Sequence, residues 1–167
     1  EWEQEVAAFW AAFEARPADD FAKVQKLDDI TDRCPAADGR AAFERACIRD
    51  STGRTDDAVR YYESGLAAGL DEVRTARTYV QLASSLRVLG DNDQALEIIS
   101  RADPHAIGGA PSAVRALALH DAGRHEEALR VALEALVPHL PRYQRSMANY
   151  ARQLAETGAL IDTARRV

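Results

Sequence analysis

Apolar residues recur along this chain at steps of three and four, the spacing of one face of an α-helix. Trp2, Val6, Phe9, Trp10 and Phe13 form the first such stripe and predict a helix over residues 1–16. Pro17 ends it, because the residue before a proline avoids the helical region. Asp19 or Asp20 caps a second helix with Phe21, Val24, Leu27 and Ile30 on its inner face. A linker, RCPAADG, covers residues 33–39. Further helices are predicted over residues 40–52, from Thr55 to near Gly69, from the Asp71 cap to Leu89, and from Asp91 or Asn92 to near Asp103. The stretch DPHAIGGAPS, rich in glycine and proline, is the longest loop. Pro111 then fits the first turn of a helix to Ala122, and His125–Val137 is the next. Pro138 and Pro141 break the chain. Pro141 starts a helix to about Thr157, and LIDTARRV is a short helix or a frayed tail. The total is about ten helices in five hairpins, without the period-two alternation of a strand.

The helices repeat. Gly53, Gly90, Gly123 and Gly158 punctuate successive pairs at spacings of 37, 33 and 35 residues. Seven residues before each lies an alanine: Ala46, Ala83, Ala116 and Ala151. Five residues after the first three lies another: Ala58, Ala95 and Ala128. Two antiparallel helices joined by about three residues cross tightly only where small side chains meet. The glycine is the natural left-handed residue that ends the first helix. Tyr62 and Ile99 share a bulky slot of the second helix, where the third copy has Ala132. Leu86, Leu119 and Leu154 share a slot of the first, where the first copy departs with Arg49.

With these spacings, RACIRDSTGRTDDAVRYYESGLAAGL, VQLASSLRVLG and LALHDAGRHEEAL resemble the bacterial tetratricopeptide-repeat group-five family, over roughly residues 39–136. The period is close to the roughly 34 residues of that repeat. No copy has the family tryptophan, and alanine replaces the usual middle glycine. The resemblance implies an all-α fold, a right-handed α-α superhelix of about five hairpins. It divides the chain into a degenerate capping hairpin over residues 1–38, three repeats over 39–143, and a partial repeat or capping helices over 144–167. It implies generic protein binding and no reaction. In such arrays the first helix of each hairpin lines a concave groove. The inward positions then fall on Arg40, Phe43, Cys47, Asp50 and Ser51 in the first copy. They fall on Arg77, Val80, Ser84, Arg87 and Val88 in the second, and on Ala110, Ala113, Leu117, His120 and Asp121 in the third. The partial fourth copy adds Arg145, Ala148, Arg152, Ala155 and Glu156. The candidate peptide-binding residues are therefore Arg40, Phe43, Arg77, Val80, Ser84, Arg87, Leu117, His120, Arg145 and Arg152. Arginine forks bind carboxylates bidentately, so an acidic peptide with spaced apolar residues is the expected ligand. A solvated helix face with local ion pairs is the competing reading of the same residues. The chaperone-binding carboxylate clamp of some tetratricopeptide domains is not expected, since Phe43 and Val80 stand where it needs lysine.

Composition narrows the partners. The 167 residues suffice for one domain with a sizeable core, and 47% are hydrophobic, as in globular chains. A formal net charge of −6 argues against nucleic acid and against an anionic membrane surface. No run is apolar and long enough to span a bilayer, and the start is not signal-like. The chain begins with Glu1 rather than Met, which leaves room for a preceding segment. Two cysteines, Cys34 and Cys47, match no metal or redox spacing and suit a cytoplasmic location, with Cys47 read as a half-buried helix residue. Trp2 and Trp10 read either as a ligand pocket or, at their helical spacing, as a capping core. There is no phosphate loop, nucleophile elbow or zinc-binding cluster, so no metal or other cofactor is expected. His120 and His125 are placed on different helix faces, with Gly123 between them. Three functions remain: a peptide- or protein-binding module, a structural module that self-associates through its apolar ends or outer faces, and, as an outlier, an unrecognised enzyme. The first two correspond to a monomer and a homodimer.

Overall fold

The computed structural model describes residues 1–13 and 20–165, with residues 156–165 as backbone only. Nine α-helices occupy the described residues: α1 (Trp2–Ala11), α2 (Asp20–Thr31), α3 (Arg40–Ser51), α4 (Thr55–Ala68), α5 (Glu72–Val88), α6 (Asn92–Ile99), α7 (Ala110–Asp121), α8 (His125–Leu136) and α9 (Gln144–Arg165). The fold is all-α, a series of helical hairpins. The Pro17 stop and the Asp19 cap lie outside the described residues.

Three hairpin turns are copies of one another. Gly53, Gly90 and Gly123 have φ of 74°, 87° and 76°. In each, the glycine N–H returns to the carbonyl three residues back, Asp50, Arg87 or His120, at 2.9–3.2 Å. The next N–H returns to the carbonyl five back, Arg49, Leu86 or Leu119, at 2.8–3.0 Å. These are Schellman caps, which satisfy two carbonyls at each helix end. The residue that follows the glycine is already the N-cap of the next helix; Asp91 accepts the Gln94 N–H at 3.1 Å. Asp71 caps α5 in the same way, accepting from the Arg74 N–H at 2.9 Å.

The chain divides into two compact units, Glu1–Thr78 and Tyr79–Val167, with the division inside α5. In the first unit α1 packs on α2, α2 on α3, and α3 on α4. Its core joins Trp2, Val6 and Phe9 to Val24, Leu27, Ile30 and Ile48. The Trp2 indole N–H donates to the Ile30 carbonyl at 2.8 Å. The Trp10 indole donates to Glu44 Oε2 at 2.7 Å. Both tryptophans are therefore engaged in packing, Trp2 between α1 and α2 and Trp10 between α1 and α3. Phe21 is a correction: expected inside, it is 72% exposed. α1 ends at Ala11, short of the predicted Arg16.

Arg49, the departure in the leucine slot, is 6% exposed. Its two terminal nitrogens hold both Asp28 oxygens at 2.9 and 2.8 Å, and its guanidinium lies 4.4 Å from the Tyr61 ring centre. A bidentate pair of this kind is the geometry in which arginine tolerates burial. Asp28 belongs to α2, so the exchange of leucine for arginine joins the N-terminal hairpin to the first repeat.

In the second unit α6 packs on α7, α7 on α8, and α8 on α9. The small positions close the hairpins as predicted: Ala83 and Ala95 are fully buried, as are Ala46 and Ala58 in the first unit. In the third copy the alternation shifts. Ala116 is only half-buried while Ala118 is fully buried, and Val131 rather than Ala132 turns inward. α9 runs as one helix through Gly158, so the fourth copy shows its first helix without the turn predicted there. Among the described residues no helix is long and apolar enough to cross a membrane.

Candidate functional site

The first-helix positions named above separate into those used by the fold and those left open. In the first unit Arg40 is used. It pairs with Glu3 at 3.0 Å and with Asp38 at 2.9 Å, and stands 5.5 Å from the Trp2 ring centre. The hydrogen bond from Arg40 holds the Asp38 carboxyl below the usual aspartate range. Glu3 also takes Arg74 at 2.6 Å, and Arg74 takes Asp71 at 2.7 Å. Phe43 is a correction. It is fully buried against Tyr62 and forms no groove wall, because its aromatic ring completes the α3–α4 contact. Arg77 is exposed and lies over the Phe43 ring at 5.0 Å. Among the described residues it makes no ion pair. An arginine held by a ring and not by a carboxylate keeps its donors available.

Cys47 is buried, and burial pushes its thiol up to about 12, with the Glu44 charge acting in the same sense. It stays a neutral thiol at physiological pH and is no nucleophile. The Tyr62 hydroxyl donates to Asp50 at 3.4 Å and lies 3.9 Å from the Cys47 sulfur.

In the second unit Val80 and Ser84 are half-buried on α5. Arg87 pairs with Asp121 of α7 at 2.6 Å, which holds the Asp121 carboxyl below its usual range and ties the two first helices together. Among the described residues the Arg87 Nε hydrogen is buried without an acceptor. Beside this pair Val88 is 64% exposed and Leu117 is 50% exposed, with His120 also at the surface. Arg145 and Arg152 are exposed on α9. Arg152 donates to Asn149 of its own helix. No hydrogen bond or ion pair among the described residues joins either arginine to Leu117 or His120. The structure thus brings Arg87, Leu117 and His120 to one pair of helices and leaves Arg145 and Arg152 on another element.

One arrangement escaped the sequence reading. His120 and His125 have ring centres 4.7 Å apart across the Gly123 turn. Helix-face arithmetic separated them, but the reversal at a left-handed glycine stacks the end of one helix on the start of the next. His120 Nδ1 also lies 3.3 Å from Asp121. Among the described residues no group of three or more histidines, cysteines or acids is placed to hold a metal ion. A cavity of about 260 Å³ opens between the loop after α6, the start of α7, and α8, lined in part by Pro104, Ser112, Arg115 and Arg130. Two of its polar groups are engaged: Ser112 Oγ donates to the Pro104 carbonyl at 3.0 Å, and Arg130 pairs with Glu134 at 2.7 Å.

The turns, the small crossing residues and the exposed first-helix faces define a class, that of helical-hairpin repeat proteins. Within it, the family model of the group-five tetratrico peptide repeat matches residues 39–154, and the chain belongs to that family. The match starts at Gly39, so α1 and α2 lie outside it. The family is one of protein-interaction scaffolds, generally without catalysis. No curated protein and no solved structure matches the chain.

Proposed function

We propose that the chain is a non-catalytic scaffold that holds an extended peptide segment of a partner protein on its first-helix faces. The observation that carries this reading is the pair Val88 and Leu117, 64% and 50% exposed beside the Arg87–Asp121 ion pair. Isolated exposed apolar residues are ordinary, but two flanking an interhelix ion pair on the binding face of a repeat fold give a peptide apolar contacts next to polar ones. The acidic character of the ligand rests on Arg77, and in the second unit on Arg145 and Arg152. Arg40 and Arg87 already have carboxylate partners, so they contribute less than their positions suggest.

A random-peptide phage library selected against the chain tests the proposal. Titration calorimetry on the enriched peptide is then repeated with Leu117→Asp and with Arg77→Ala. Both side chains are exposed, so the melting temperature should hold. Leu117→Asp should weaken binding at least tenfold, the effect of losing about 1.4 kcal/mol. Arg77→Ala should weaken acidic peptides selectively and reduce the salt dependence of binding. Peptides that bind both variants as tightly as the parent would place the site elsewhere.

A further inference from the structure

The cavity of about 260 Å³ lies wholly in the second unit, and neither Val88 nor Leu117 lines it, so it is separate from the peptide-binding face. One of its walls is the loop after α6. Ile107, Gly108 and Gly109 of that loop hold φ of 45°, 69° and 82°, left-handed values that a β-branched residue adopts only where its surroundings enforce them. The Ser112 hydroxyl pins the loop to α7 through the Pro104 carbonyl. Ile99 and Val131, 2% and 6% exposed, and the buried Pro111 give the cavity an apolar lining. The charged lining is unbalanced, with Arg115 and Arg130 against Glu134. Arg130 Nη1 holds both Glu134 oxygens, at 2.9 and 2.7 Å, which leaves the Nη2 and Nε donors without a hydrogen bond among the described residues. Arg115 Nη2 only approaches Glu127, at 3.7 Å, and that carboxylate is already held by Arg124 at 2.5 Å. The exposed His105 side chain also lines the cavity, and among the described residues it forms no hydrogen bond or ion pair.

We propose that this cavity binds a small monocarboxylate, an organic acid with a compact apolar body. The body fills the space against Ile99, Pro111 and Val131. The carboxylate takes the open donors of Arg115 and Arg130, with His105 as a third partner. A carboxylate matches the guanidinium fork, and two arginines against one glutamate leave room for one negative charge. An inorganic anion would meet the arginines but leave the apolar lining unfilled. The volume is under the roughly 300–1,000 Å³ of pockets for drug-sized ligands, so the body is a single branched or aromatic group. Glu134 competes with the ligand for Arg130. The same carboxylate on the same body also ends a polypeptide chain, and the test separates the two sources.

Proton–nitrogen correlation NMR of the chain, titrated with isocaproate and with phenylacetate as a branched and an aromatic probe, tests this. Shifts with at least one probe should saturate and concentrate in residues 99–105, 111–115 and 130–135. The matching neutral amide, the same body without the charge, should bind about tenfold more weakly or worse. Arg115→Gln should weaken the acid by a similar factor. Glu134→Gln should tighten it, because Arg130 loses its competitor. Both side chains are exposed, so the fold should hold, and the opposite signs separate a carboxylate site from a general loosening of the cavity. N-acetylglycyl-leucine carries a branched body and a carboxylate at a chain end. Weaker binding of this peptide than of the free acid supports a small-molecule ligand, and tighter binding overturns that source in favour of a polypeptide end. The proposal as a whole is overturned if neither acid shifts these segments, if acid and amide bind equally, or if the two substitutions move affinity in the same direction.

Discussion

Arg49 and Glu44 show how single residues of the first repeat came to serve the hairpin that precedes it. Both sit on α3, at 6% and 5% exposure, and both are charged groups in a place where apolar ones are usual. Arg49 meets its burial with two hydrogen bonds to Asp28. A pair of this kind adds little net stability over an apolar pair, yet removing Asp28 would leave the Arg49 charge buried without its partner. The pair ties α2 to α3. Glu44 is less well matched. Burial raises its carboxyl above the usual glutamate range, and the Trp10 hydrogen bond and the Arg74 and Arg77 charges oppose that only in part. A pKa higher in the folded than in the unfolded chain means that the acid favours folding while protonated. That contribution is complete below the ordinary glutamate pKa of about 4.3 and is lost as pH rises through the folded value. Glu44→Gln keeps an acceptor for the Trp10 indole without the charge. It should melt higher than the parent at neutral pH, and the two curves should converge as pH falls toward the ordinary glutamate range. Parallel melting-temperature profiles across that range would contradict this account of Glu44.

At the scale of elements, the join of α3 to α4 depends on a backbone approach. A Cβ on Gly39 would stand 2.2 Å from the Gly65 carbonyl oxygen and 2.9 Å from that of Gly69, and the Gly39 N–H donates to Gly69 at 2.9 Å. Backbone cannot swing aside as a side chain can, so Gly39→Ala should cost roughly 1–3 kcal/mol or more by overpacking. Gly53→Ala is the control. Its φ is +74° with nothing within 4 Å, so only the left-handed penalty of about 1–2 kcal/mol applies. Denaturant unfolding that ranks Gly53→Ala as the costlier change would remove the close approach from the argument. The same comparison explains what was legible in advance. Gly53, Gly90 and Gly123 announced themselves because a turn that needs φ > 0 restricts the residue type, and equal spacing exposes the repeat. Gly39 sat in a stretch read as a linker, since a requirement set by a distant carbonyl leaves no local signature. Phe43 was misplaced because an inward position on a generic repeat does not reveal whether a neighbouring aromatic, here Tyr62, will bury it. The arginines were chosen by position, but whether each was free depended on Glu3, Asp38 and Asp121, whose proximity only the fold supplies. The break at Gly158 was expected from spacing alone, and the backbone continues as helix through it.

At the scale of the molecule, the two units differ in charge and in how their helices are covered. The first unit contains 17 aspartates and glutamates against 11 lysines and arginines, so the whole formal net charge of −6 falls there and the second unit is neutral. The first unit offsets this with cross-element ion pairs that hold α1 and α2 on the repeat, and with an aromatic core around Phe9, Trp10 and Phe13. α3 is thereby covered by α2 on one side and α4 on the other. In the second unit α8 has α7 and α9 as neighbours but leaves Leu129 and Leu136 in water. In repeat proteins stability is close to a sum of nearest-neighbour terms, so a helix that leaves part of its apolar face in water opens at lower free energy. Native-state hydrogen exchange at low protein concentration should therefore find the slowest amides in α3 and α4. Exchange should be faster in α8 and in residues 144–155, through openings that need no global unfolding. Adding denaturant should leave the rates at this end nearly unchanged until global unfolding takes over, because local openings expose little surface. If α8 exchanges as slowly as α3 even in dilute solution, the exposure of Leu129 and Leu136 does not weaken its helix.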